Sequence, residues 1–154
     1  AAQGSTARGA TLIAFNSIGS AIGGLVYGGV RLSIAPTRQL AAVLGIMALP
    51  IALQGLLPAM PVLALLAFLG GLLIAPAITL VMTMVSRYAP SRYATEAFTW
   101  AASSIVAGIG AGSATGGRLV ETYGPSAPFL AAAASTVVAL VVASRIGAIK
   151  SGHG

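Results

Sequence analysis

Glu96, Thr99, Trp100 and Ser103 stand at helical spacing where a charge-free stretch, residues 97–117, begins. Intervals of three and four residues bring them onto one helix face, which Ala107, Gly110 and Ala114 continue with small side chains. A carboxylate, two hydroxyls and an indole N–H on one face at membrane depth can exchange a proton or hydrogen-bond a small polar molecule. On roughly the opposite side Gly108, Gly112 and Gly116 recur every fourth residue, the spacing that lets two helix backbones approach closely in lipid. A helix with a polar face and a close-packing face is expected inside a bundle.

Bond-breaking chemistry is poorly served. The chain has no cysteine, its one histidine is His153 in the polar tail, and its only acids are Glu96 and Glu121. No Ser/His dyad, HExxH zinc site or pair of in-span acids can be assembled from these. The expectation is a non-enzyme without metal or cofactor.

Glu96 carries two readings. It follows Thr95, a potential N-cap, and a carboxylate in a first turn is favoured by the helix dipole. An acid within a span is otherwise a gating or proton-coupling group, for which Arg87 and Arg92 are the nearest partners and Arg31 a further gating candidate. Glu121, three residues after Arg118, reads as half of a surface pair just beyond the helix end. Asn16, Ser20, Gln54, Thr79 and Thr83 join Thr99, Trp100 and Ser103 as candidates for lining a substrate path. The competing reading is that such groups bond helices to one another. Trp100, Tyr88 and Tyr93 also fit an interfacial aromatic belt.

The elements that must position these residues are membrane spans. Of the 154 residues 57% are hydrophobic and 6% charged, and the mean hydropathy is +0.97; a soluble domain carries about 25% charged residues. Apolar runs predict spans at about 10–32, 40–57, 62–86, 96–118 and 126–148, each near the roughly 20 residues needed to cross a bilayer. The expected fold is an all-α polytopic bundle of five spans forming one membrane domain, 1–154. The fifth span, mainly Ala, Val and Leu, reads as peripheral and lipid-facing. Pro50 is expected to free the Ile46 carbonyl and kink the second span, and Pro76 marks a second candidate hinge.

A formal charge of +6 would suggest nucleic acid in a soluble chain, but here the basic residues sit at span ends. If spans alternate, Arg31, Arg38, Arg87, Arg92, Arg145 and Lys150 share one side and Arg8 and Arg118 the other. The positive-inside rule then places the first group in the cytoplasm, with the N-terminus outside and the C-terminus inside. An odd number of spans starting outside, without a signal peptide, points to a fragment lacking an upstream helix. GSAIGG at 19–24 and GSATGG at 112–117 differ at one position and lie in spans of opposite direction. Inverted repeats of three helices would produce that relation, and so would chance in so Gly- and Ala-rich a chain. Gly19 and Gly23, like Gly108, Gly112 and Gly116, are expected packing positions.

GSAIGGLVYGGVR at 19–31, TMVSRYAPSRYATEAFTW at 83–100 and GAGSATGGRLVETYGPSAPFLAAA at 110–133 together resemble the C-terminal half of a major facilitator superfamily transporter of the bacterial efflux type. In that family these stretches correspond to helix eight with its cytoplasmic loop, the loop between helices ten and eleven, and helices eleven and twelve. The family's loop motif includes an acid. Here Gly24, Gly28, Arg31 and Arg38 stand without one. The family's antiporter glycine motif has Pro where this chain has Ser113.

The resemblance implies a secondary transporter in the inner membrane, with an N-terminal half as partner and a small molecule as substrate. Protons are the candidate coupling ion. The rival expectation is a non-transporting membrane scaffold.

Overall fold

The computed structural model describes residues 2–30, 33–57 and 59–151; of 2–6 and 146–151 only the backbone is described. The gating candidate Arg31 lies outside the described residues. Five helices follow one another: α1 Ala2–Gly29, α2 Pro36–Leu56, α3 Met60–Tyr88, α4 Ala94–Tyr123 and α5 Ala127–Ser151. A single 3-10 turn, Ser91–Tyr93, leads into α4, and no strand occurs among the described residues. All five helices are long and apolar enough to cross a membrane. The chain is an all-α bundle and a multi-pass membrane protein.

Local chemistry sets the ends. Pro36 opens α2, where a missing N–H leaves no donor unsatisfied. Pro90 forces Ala89 into an extended conformation (φ −73°, ψ 133°) and stops α3. Gly124, at φ 88°, makes the turn from α4 to α5 in the left-handed region that other residues avoid. Helices α1 and α4 overrun the predicted spans, because hydropathy marks the stretch inside lipid and not the polar turns that continue the helix into water. Arg118 and Glu121 consequently lie within α4, not beyond its end.

α1 packs most extensively on α3, α2 lies between α3 and α5, and α4 touches α5 and α3 only sparsely. Gly19 sits against Phe68 and Gly23 against Leu72, an in-step advance that makes α1 and α3 parallel. Gly45 meets Leu140 while Gly55 meets Leu130, so α2 and α5 run antiparallel. Leu40, Leu80 and Ala143 form a buried cluster with Tyr27, Val43 and Met84 packed against it. That cluster ties together the finishing ends of α1, α3 and α5 and the start of α2. Arg38, Arg87, Arg92 and Arg145 therefore gather at one end of the bundle, and Arg8 and Arg118 at the other.

The α1–α3 seam is backbone against backbone. A Cβ at Gly19 would strike the Phe68 carbonyl, one at Gly23 the Leu72 carbonyl, and one at Gly71 the Asn16 carbonyl. Pro76, buried inside α3, has no N–H to offer the Leu72 carbonyl four residues back. It is this carbonyl that Gly23 abuts, so the glycine Cα covers an acceptor the helix has released. Both α2 and α3 continue through their prolines, and Pro50 does not end α2.

Two expectations about the periphery need adjusting. α5 keeps an exposed side, with Val137, Val138, Val141 and Val142 uncovered, but its other side packs along α2 and buries Ala133, Thr136 and Ala143. α4 is the peripheral one, with no buried residue. A small-residue face permits close packing, but another element must present itself to use it.

Candidate functional site

The polar side chains predicted to line a path fall in separate places. Asn16, on α1, donates from Nδ2 to the Ala67 carbonyl of α3 at 3.2 Å, bonding the two helices. With Ser20 it borders a shallow cleft of about 540 Å³ between α1 and α3. Gln54, near the other end of α2 from Arg38, donates back to the Pro50 carbonyl at 3.3 Å. On α3, Thr79 donates to the Ala75 carbonyl at 2.9 Å and Thr83 to the Thr79 carbonyl at 2.8 Å.

Thr99 behaves in the same way, donating to the Thr95 carbonyl at 2.9 Å. Back-bonding of this kind occupies the hydroxyl hydrogen and lets Ser and Thr sit in lipid at little cost. Toward a ligand these three threonines offer acceptor oxygens only. Among the described residues no buried polar side-chain atom lacks a partner.

α4 carries the densest set of candidates. Glu96, Thr99, Trp100 and Ser103 are all exposed, Trp100 to 69%. Thr95 is not the cap: α4 begins at Ala94 with Tyr93 at the N-cap position and no side-chain capping bond. The 3-10 turn feeds directly into the helix and moves Thr95 inside its first turn. The expected pairing with Arg87 or Arg92 is also absent, because among the described residues Glu96 makes no ion pair. Arg92 lies over the Tyr93 ring at 4.5 Å, an arrangement worth about 0.5–1 kcal/mol when exposed. Arg118 and Glu121 likewise form no ion pair.

The glycine face of α4 stands apart from that of α1. Gly108 and Gly112 meet nothing within 4 Å, and Gly116 faces only the Pro128 Cβ, at 3.8 Å from where its own would be. The near-identical hexapeptides 19–24 and 112–117 thus sit in unlike surroundings, one wedged into α3 and the other open.

The structure adds a site at the arginine-rich end. The Tyr27 hydroxyl donates to Gln39 Oε1 at 2.7 Å, and Gln39 Nε2 donates to the Ile34 carbonyl at 2.6 Å. This relay clamps the end of α1 to the start of α2. Beside it lies a cavity of about 470 Å³ to which Ser33, Thr83 and Arg87 contribute. The signal in the sequence was Gln39 itself, an amide placed between Arg38 and a long apolar run.

Among the described residues no group of three or more His, Cys, Asp or Glu could hold a metal ion. Comparison with protein families, curated proteins and solved structures gave no match.

Proposed function

We propose that the chain is part of a secondary active transporter of the major facilitator type, exporting a small molecule by alternating access against a second, N-terminal half. The observation that carries this reading is α4. Its mean hydropathy of 1.2 is the lowest of the five spans, yet none of its residues is buried. Apolar spans can stand uncovered in lipid, and the back-bonded Thr99 tolerates it, whereas a face that also bears the Glu96 carboxylate and the Ser103 hydroxyl favours water or protein. A solute path between two halves supplies both. In this reading Thr99, Trp100 and Ser103 line the path. Glu96 gates it at the arginine-rich end and is the candidate proton carrier. That end faces the cytoplasm of a cell with this chain in its inner membrane.

The chain has no cysteine, so introduced ones report cleanly. In native membranes, Thr99→Cys and Ser103→Cys are expected to react with a membrane-impermeant thiol reagent, while Val137→Cys and Val138→Cys, exposed on α5, stay inert in lipid. If the α4 positions are as inert as those on α5, the helix is sealed in a dry assembly. The protein is then a membrane scaffold and not a transporter.

A further inference from the structure

We propose that the arginine-rich end of the bundle binds one anionic glycerophospholipid, its headgroup in the cavity beside the Tyr27–Gln39 relay and an acyl chain in the trough bounded by α1, α2 and α3. The proposal does not depend on transport. It rests on two adjoining volumes of opposite character. The cavity of about 470 Å³ is lined in part by Ser33, Thr83 and Arg87. On the other side of a shared wall, Tyr27, Val30, Ile34 and Gln39, opens a groove of about 740 Å³ lined by apolar side chains such as Val26, Val43 and Leu73, with Arg38 at its rim.

The groove runs on. Ile46, Leu72 and Leu73 also line a further apolar cleft of about 310 Å³ that reaches Leu53 and Leu66. From Arg38 to Leu53 along α2 is about 22 Å at 1.5 Å per residue, more than one leaflet of a roughly 30 Å hydrocarbon core. An acyl chain fits that length.

Charge selects this occupant over an apolar helix. No carboxylate lines any of these volumes, and the chain's two acids are both on α4. Arg38 and Arg87 are exposed and without an ion-pair partner among the described residues. Guanidinium groups match phosphate oxygens in fork geometry. A packed helix would cover the trough and leave unanswered both Arg87, which lines the headgroup cavity, and Arg38 at the groove's rim, whereas a phospholipid fills the trough and brings its anionic headgroup to the end of the bundle where both stand.

The test is native mass spectrometry of the full chain, delipidated in mild detergent and then offered phosphatidylglycerol or phosphatidylcholine. One phosphatidylglycerol per chain is expected, held in preference to phosphatidylcholine. Arg38→Gln and Arg87→Gln should each weaken it about fivefold, the worth of one basic residue near an anionic lipid surface. Arg118→Gln, at the other end, should change nothing.

Ala42→Phe leaves both arginines in place and narrows the groove, and should weaken both lipids. Should the glutamine variants retain phosphatidylglycerol at the original affinity, or Arg118→Gln lose as much as they do, the proposal fails. It fails equally if Ala42→Phe binds as the parent does, or if glycerol phosphate displaces the lipid at equal concentration, which would mark a headgroup-only anion site.

Discussion

At Gly23 a single missing Cβ decides whether two helices meet. The carbonyl of Leu72 occupies the place the methyl would take, so Gly23→Ala must push α1 from α3 or distort α3 beside Pro76. Alanine favours the helix by about 1 kcal/mol over glycine, whereas overpacking a tight contact costs about 1–3 kcal/mol. Because the obstacle is backbone and cannot swing aside, the clash wins, and Gly23→Ala is expected to destabilise the bundle by up to about 2 kcal/mol in a reversible detergent unfolding assay. Gly112→Ala, at the matching place in the second hexapeptide, meets open space and should be neutral or stabilising by up to about 1 kcal/mol in the same assay. Equal effects at the two sites would mean that α4 is packed as tightly as α1. Asn16→Ala removes one interhelical bond and is expected to cost about 0.6 kcal/mol, less than the glycine, because in lipid a lost hydrogen bond matters less than a blocked backbone.

Among the elements, α4 and α5 divide the labour in a way their sequences did not disclose. The five spans could be read directly, because membrane-length apolar runs separated by Pro, Gly and Arg have few other solutions in lipid. Which helix lies inside could not be read. A wheel reports the chemistry of each face, and the polar and glycine stripes of α4 promised a central position, but occupancy depends on the other helices. The destinations of the hydroxyls were equally hidden: Thr79, Thr83 and Thr99 bond to carbonyls one turn back, a choice available to any helical threonine. Asn16 was easier, since an amide at that depth needs a partner and the nearest carbonyls lie on α3. For α5 the consequence is testable. Ala133 and Ala143 are buried, so Ala133→Leu should cost about 1–3 kcal/mol by overpacking. Val138→Leu, on a face exposed to 63%, should change thermal stability within error. A reversed order would mean that α5 meets α2 through its valine face and not through Ala133 and Ala143.

The whole molecule is polarised along its axis. Helix directions set by the packing of Gly19, Gly23, Gly45 and Gly55 bring Arg38, Arg87, Arg92 and Arg145 to one end, and leave Arg8 and Arg118 at the other. With only two acids in the chain, neither end can neutralise itself, so the imbalance is available to the insertion machinery and to the lipid surface. Positively charged span ends are retained on the cytoplasmic side. Ser33 and Ser91 lie in the connections at the crowded end and Tyr123 beside the turn at the sparse one. In sealed, right-side-out vesicles, Ser33→Cys and Ser91→Cys should resist an impermeant thiol reagent until the membrane is permeabilised, while Tyr123→Cys should label at once. Protection of Ser33→Cys together with immediate labelling of Ser91→Cys would separate the two arginine-bearing loops. That result would contradict the parallel course of α1 and α3 on which the bundle is built. Labelling of all three in reverse would keep the bundle and invert it in the membrane, moving the phospholipid site to the outer leaflet.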